Sequence, residues 1–175
     1  MKAIITGITG QDGSHLADLL LEKNYEVVGV SRRCSVDTTE RISHLSRNDK
    51  FKLVEGDITD TSSVMNVFKD NDNVDEVYNL AAQSHVASSF KQPGLTWDIT
   101  GKGCLNLLQS LVDLKMNHIK FYQASSSEMF GSSYDVDDNG GKYQNEQTKF
   151  MPNSPYAISK CAAHYSVRLF RTKKG

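Results

Sequence analysis

Tyr156 and Lys160 form a Tyr-x-x-x-Lys pair, which puts both side chains on one face if the segment is helical. An ammonium beside a phenol favours phenolate and lowers the tyrosine pKa from about 10. A tyrosine tuned this way takes a proton from a sugar or alcohol hydroxyl while hydride leaves for a nicotinamide. Upstream runs Gln123-Ala124-Ser125-Ser126-Ser127-Glu128-Met129-Phe130-Gly131. Ser126 offers a hydroxyl to the reacting oxygen, and Glu128 supplies a second base. Glu128 also suits a helix N-terminus, where a negative charge is favoured by the dipole.

Near the start, Gly7, Gly10 and Gly13 follow a G-x-x-G-x-x-G spacing, with Thr9, Gln11 and Asp12 between them. This differs from the G-x-G-x-x-G dinucleotide fingerprint. The physics is shared. Glycines let the backbone turn tightly and approach a pyrophosphate, which then sits on the N-terminus of the next helix. About twenty residues on, an acidic residue would hold the ribose 2′-hydroxyl of NAD. Here the strand ends in Ser31-Arg32-Arg33. Two guanidiniums can bracket a 2′-phosphate, so NADP is expected over NAD. Asp57 follows the third strand and reads either as an acceptor for an adenine amino group or as a cap. The fourth strand ends in Asn79-Leu80-Ala81-Ala82-Gln83-Ser84-His85, whose small residues would let a cofactor pass close to the backbone. His85 has no partner at metal spacing and reads as a packed or surface histidine. No metal is expected.

The elements needed to position these groups alternate along the chain. Strand-like runs are Lys2–Thr6, Glu26–Val30, Phe51–Val54, Glu76–Leu80 and Ile119–Ala124. Helix-like blocks are Ser14–Lys23, Thr61–Lys69 and Leu95–Leu114, each with apolar residues at helical spacing. Ser154 and Pro155 predict the N-cap and first position of a last helix, which ends in Arg168, Arg171, Lys173 and Lys174. Arg32–Lys50 and Ser132–Phe150 read as irregular, and the second is long for a loop in a compact domain. The fold class is α/β: a Rossmann-like doubly wound parallel sheet with helices on both faces.

The chain has 175 residues, 38% hydrophobic and 23% charged, with a formal net charge of −1. That is about one domain. The composition excludes a disordered chain, and no apolar run approaches a membrane span. The charge balance gives no reason to expect nucleic acid. The N-terminus enters the glycine loop directly, which does not suit a signal peptide. Cys34, Cys104 and Cys161 stand far apart, as reduced cytoplasmic thiols do.

The segments GITGQDGSHLADLLLEKNYEVVG, RRCSVDTTERISHL, EGDITD, VYNLAAQSHVASSF, FYQASSSEMFG and NSPYAISK resemble the extended short-chain dehydrogenase/reductase superfamily, and within it the GDP-mannose 4,6-dehydratase family. The glycine loop and Tyr-x-x-x-Lys are superfamily-wide, whereas the arginine loop, LAAQSHV and QASSSEMFG are narrower. The resemblance implies a lyase acting on GDP-mannose by transient oxidation at C4, proton removal at C5 and loss of water from C6. It implies Ser126, Glu128, Tyr156 and Lys160 as catalytic residues. Gly7, Thr9, Gly10, Gln11, Asp12, Gly13, Arg32, Arg33, Ser35, Asp57, Ile58, Leu80, Ala81, Ala82, Ser84, Tyr156 and Lys160 would hold NADP. Ser84, Ser126, Glu128 and Tyr156 would touch the substrate. A homo-oligomer, dimer or tetramer, is implied for the complete protein, with the arginine loop reaching a neighbouring subunit. The alternatives are another NADP-dependent sugar-nucleotide dehydratase, epimerase or reductase, or a catalytically silent NADP-binding fragment.

Two departures stand out. Leu95 occupies a position where many relatives carry a tyrosine, and Ser132–Gln147 is longer and more acidic than the corresponding loop. The relatives are also nearly twice as long. The expectation is therefore an NADP-binding domain over residues 1–175, truncated after the Tyr-x-x-x-Lys helix, without a C-terminal substrate-binding part and with little activity alone.

Overall fold

The structure is a computed structural model describing residues 1–173. Five strands, β1 (Lys2–Thr6), β2 (Glu26–Ser31), β3 (Phe51–Glu55), β4 (Glu76–Asn79) and β5 (Lys120–Gln123), form one parallel sheet in the order β3-β2-β1-β4-β5. Each lies within a residue of its sequence-predicted bounds. The central strands are apolar on both faces because both are covered, as parallel sheets require. Alternation divides the core in two. Ala3, Ile5 and Val27 face one side, where α1 (Gln11–Glu22) contributes Ala17 and Leu20. Ile4, Val28, Val30 and Val77 face the other, under α2 (Thr61–Lys69) and α5 (Gly103–Asp113). The doubly wound architecture is as expected from the sequence.

Four local expectations need correction. First, α1 begins at Gln11, three residues before Ser14, because Gly10 takes an extended N-cap conformation and lets the helix start inside the glycine loop. Second, Arg32–Lys50 is not wholly irregular: Glu40–Arg47 forms a 3₁₀ segment that buries Ile42 and Leu45 against the α1 side of the core.

Third, the block expected as one helix over Leu95–Leu114 is a composite. A short helix α3 (Val86–Lys91) precedes α4 (Pro93–Thr96), a π-helical turn (Trp97–Lys102) and α5. The π turn buries Thr100 and Gly101, and a methyl on Gly101 would stand 3.6 Å from the Ser159 carbonyl of the last helix, α6 (Pro155–Lys173). Close crossing of the two helices sits where the turn is wound loose. Fourth, Ser132–Phe150 carries a small antiparallel hairpin, β6 (Asp135–Val136) and β7 (Lys142–Tyr143). Its turn closes on Asp137, whose Oδ1 accepts from the Asn139 and Gly141 N–H groups at 2.9 and 2.7 Å. The excursion is pinched at its base, where Met151 N–H donates to the Met129 carbonyl at 3.0 Å. Among the described residues, no helix is long and apolar enough to cross a membrane.

Candidate active site

Everything that the sequence singles out for chemistry lies at or just beyond the carboxyl ends of the parallel strands, where ligands of open α/β sheets bind. At the end of β1, Gly7 adopts a positive φ of 70°. A side chain there would stand 2.8 Å from the Ala81 nitrogen, so the β1 and β4 loops meet backbone to backbone. Gly10 N–H closes the turn onto the Gly7 carbonyl at 3.0 Å. A methyl on Gly13 would lie 2.3 Å from that same carbonyl oxygen. The three glycines are thus each used: one for the turn, one to cap, one for contact between α1 and the loop. Gly10, Gln11 and Asp12 remain exposed, and no side chain caps the α1 N-terminus. Its free N–H groups face the cradle.

Around this cradle, Arg32, Arg33 and Ser35 are exposed just past β2, and Thr9 is half-buried. Asp57 is one of two readings resolved in part: Asp60 is the cap of α2, accepting from Ser62 N–H at 2.9 Å. Asp57 instead braces its own turn, its Oδ1 accepting from Thr59 N–H and Oγ1 at 2.8 and 2.7 Å. Ile58 points its side chain into the core, and its carbonyl accepts from Asn106 Nδ2 at 2.8 Å. Leu80, Ala81 and Ala82 are half-buried and Ser84 is exposed. His85 caps α3 through Nδ1, which accepts from Ser88 N–H at 3.2 Å.

The second half of the site is built by β5 and α6. Ser154 caps α6 as expected: its hydroxyl accepts from Ala157 N–H at 3.1 Å. That fixes the start of the helix and the direction of Tyr156 and Lys160, both buried on its inner side. After β5, Ser126 caps a 3₁₀ turn (Ser127–Met129) by accepting from Glu128 N–H at 3.2 Å. Ser126 and the exposed Glu128 carboxylate both lie near enough to the Tyr156 phenol to act on its ionisation.

One sequence expectation fails. The Tyr156 pKa is raised from its ordinary value, mainly by burial, with the Glu128 charge adding and the Ser126 hydrogen bond opposing. Lys160 does not depress it. The ammonium lies 5.7 Å from the ring centroid and donates instead to the Ala124 carbonyl at 2.7 Å. Burial pulls the Lys160 pKa down. The Cys104 thiol lies beside Lys160, and burial pushes it up to about 12, so it lines the lysine as a neutral group. Sequence reasoning gave no role to Cys104, nor to Thr6 and Gln123. The last two close apolar strands with a polar residue, and that signal was available.

A glycine cradle on the first turn of a parallel 3-2-1-4-5 sheet, with a serine, tyrosine and lysine converging on the same edge, defines a Rossmann-type domain of the short-chain dehydrogenase/reductase class. The family described as GDP-mannose 4,6 dehydratase matches residues 4–175. GDP-mannose 4,6 dehydratase 1 of Arabidopsis thaliana is 46% identical over 99% of this chain and 48% of its own length. The GDP-mannose 4,6-dehydratase of Yersinia enterocolitica is 44% identical over 99% of this chain and 46% of its own. DesIV, a dTDP-glucose 4,6-dehydratase from Streptomyces venezuelae solved with NAD and TYD bound, superposes with a TM-score of 0.85 at 26% identity. That match covers 100% of this chain and 53% of DesIV. The chain belongs to the GDP-mannose 4,6-dehydratase family. It spans about half the length of the curated relatives it matches.

Proposed function

We propose that residues 1–175 are the NADP-binding and catalytic half of an enzyme that dehydrates GDP-mannose to GDP-4-keto-6-deoxymannose. The observation that carries the reading is the meeting of Ser126, Glu128, Tyr156 and Lys160 at the sheet edge that also bears the glycine cradle. The cradle fits a dinucleotide: Gly7 and Gly13 stand where a Cβ would collide with backbone, and the α1 N–H groups are free to meet a pyrophosphate. Arg32 and Arg33 are exposed where a 2′-phosphate would lie, with Ser35 and Asp57 near the adenosine end. Bound there, the nicotinamide would accept a hydride from C4 of the hexose and return it to C6.

The chain's own groups divide the proton work. Ser126 holds the 4-oxygen by a hydrogen bond. Tyr156 exchanges the 4-hydroxyl proton. Its raised pKa leaves little phenolate near pH 7, so C4 oxidation by this base should speed up as pH rises. Oxidation at C4 acidifies the C5 hydrogen, and Glu128 removes it. The exposed carboxylate is unencumbered for this transfer and for passing the proton to the departing C6 oxygen; C5 regains a proton from solvent as hydride returns to C6, balancing the one that Tyr156 took from the 4-hydroxyl. Nothing in the cycle consumes cofactor.

The remaining assignments follow the same reading. Trp97 in the π-helical turn and Leu105 on α5, and Ile158, Tyr165 and Leu169 on α6, are each between 42% and 54% exposed. They form apolar stripes on two packed helices, which supports a homo-oligomer in the complete protein. Cys34 is an exposed free thiol, which suits the reducing cytoplasm.

The test is the full gene product incubated with GDP-mannose and NADP in deuterated water. The wild type should give the 4-keto product with deuterium at C5. Glu128→Gln should oxidise C4 yet incorporate no deuterium. Exchange persisting in that variant removes Glu128 from its role and favours a reductase or epimerase. NADP binding with no turnover by the wild type favours a silent binding module.

A further inference from the structure

Thr6, Asn79 and Gln123 are the last residues of β1, β4 and β5. Strand register sets them side by side, Thr6 opposite Asn79 and Asn79 opposite Gln123. They share the face covered by α2 and α5, since Ile4 and Val77 two residues earlier belong to that core. Thr6 is 2% exposed and Asn79 1%.

Donor and acceptor chemistry gives the row a fixed direction. The Thr6 hydroxyl donates to Asn79 Oδ1 at 2.6 Å. Asn79 Nδ2 therefore faces the next strand and donates to Gln123 Oε1 at 2.7 Å. Gln123 Nε2 then donates to the Ala124 carbonyl at 2.9 Å. That carbonyl is also the acceptor of Lys160 Nζ. At the other end, the Thr6 hydroxyl accepts from Ala81 N–H at 3.3 Å, and Leu80 N–H donates to the Thr6 carbonyl at 3.2 Å. Thr6 directly precedes Gly7. The row is a continuous hydrogen-bonded path from the glycine cradle to the lysine of the Tyr-Lys pair.

A buried polar row is no requirement for making these strands. Apolar residues of similar shape would pack there at little or no loss of stability. What the row adds is orientation. Ala124 lies just past the end of β5; its N–H still donates to the Asn79 carbonyl at 3.1 Å, while its own carbonyl is held by the Gln123 amide so that it meets the ammonium. We propose that Asn79 and Gln123 are positioning residues for Lys160, and that with Thr6 they make the lysine's placement depend on the placement of the glycine loop. This rests on the reading that Tyr156 and Lys160 work with a bound nicotinamide dinucleotide.

A double-mutant cycle between Thr6→Val and Gln123→Met in the full gene product tests it. The two residues do not touch; they are joined only through Asn79. Each single variant should lower kcat for GDP-mannose about ten-fold with KM within about two-fold. The double variant should fall no more than about two-fold below the worse single one. Thr6→Ser, which keeps the hydroxyl, should restore the wild-type rate. Gln123→Glu keeps the acceptor for Asn79 but loses the donor to Ala124 when ionised, and replaces Gln123→Met if that variant does not fold. Additive losses, as independent sites give, or single variants at the wild-type rate, overturn the proposal. The same cycle is run on the dissociation constant for NADPH by fluorescence. A wild type that binds NADPH without turning over GDP-mannose removes the proposed activity, and the binding cycle then decides the row. A wild type that does not bind NADPH removes both.

Discussion

Gly13→Ala sets two effects of known size against each other. Gly13 lies in the first turn of α1, where alanine favours helix by about 1 kcal/mol. The same methyl would stand 2.3 Å from the Gly7 carbonyl oxygen and 2.9 Å from the Ile8 Cα. Those are backbone atoms that cannot rotate aside. Relief requires moving the loop or the helix, which places the cost at the upper end of overpacking, about 3 kcal/mol. The net is a loss of about 2 kcal/mol, or a fall in Tm of about 4–8 °C for a chain of this size. Gly94→Ala in α4 is the control. Its methyl meets nothing within 4 Å, so only propensity acts and Tm should rise by about 2 °C. Thermal unfolding followed by circular dichroism reads both. Displacing the Gly7 carbonyl also deforms the cradle, so the affinity for NADP should fall at least about ten-fold by fluorescence titration, from the same scale of strain. A Gly13→Ala protein with wild-type Tm, or with unchanged NADP affinity, refutes the claim that loop and helix meet more closely than a methyl permits.

Other expectations concern charge and capping. Arg32→Ala should weaken NADP about ten-fold or more while leaving NAD nearly unchanged, since a charge-assisted bond to the 2′-phosphate is lost; equal weakening of both sends the arginine back to the solvent. Burial and the Glu76 carboxylate push Tyr78 up to about 12. Between pH 10 and 12 the unfolded chain has lost that proton and the folded one has not, so stability falls as pH rises. Tyr78→Phe should flatten this alkaline loss in unfolding midpoints, at a cost of about 1 kcal/mol near neutrality from the lost 2.8 Å bond to Glu76; an unchanged alkaline slope would show that another group is responsible. Ser154→Ala should cost about 1 kcal/mol by denaturant unfolding and should lower kcat as well, because the cap sets where Tyr156 begins. Loss of stability with full kcat would separate the cap from the site.

The sheet was legible because its strands are short apolar runs with helical blocks between them, and Ile4, Val28 and Val77 carry that pattern without competition. Ser154-Pro155 announced α6 because cap chemistry is local. The places that misled are those where tertiary contact overrides local preference. Gln11-Asp12-Gly13 looks like loop but is helix: Gly10 caps it, and Gly13, with no Cβ, lets the Gly7 carbonyl close onto the first turn. Ile42 and Leu45 sit in a polar stretch and still bury. In the candidate site, residue types and spacing singled out Tyr156, Lys160, Ser126 and Glu128, which lie close together in the structure, but spacing alone gave the wrong sign for the Tyr156 pKa. Four residues along a helix bring two side chains to one face; they do not say whether the ammonium will prefer the phenol or the Ala124 carbonyl. Thr6, Asn79 and Gln123 are far apart in sequence and meet only through strand order.

The π turn over Trp97–Lys102 has a consequence for how this chain can vary in length. Such a turn holds one residue more than the α-helical path it replaces. Deleting any one of the six would let the ladder close regularly from α4 to α5. Because the turn fits its extra residue into a single revolution, α4 and α5 would keep their relative orientation and only the turn itself would tighten. The residues at stake are those inside it: Thr100, which clasps Gln83 together with Thr96, and Gly101, which sits at the crossing with Ser159. A change that regularises the helix taken alone would disturb its local contacts with the β4 loop and with α6. The segment can be substituted at its exposed positions, such as Asp98 and Lys102, but its residue count is fixed by two neighbours that lie on opposite sides of it in the sequence.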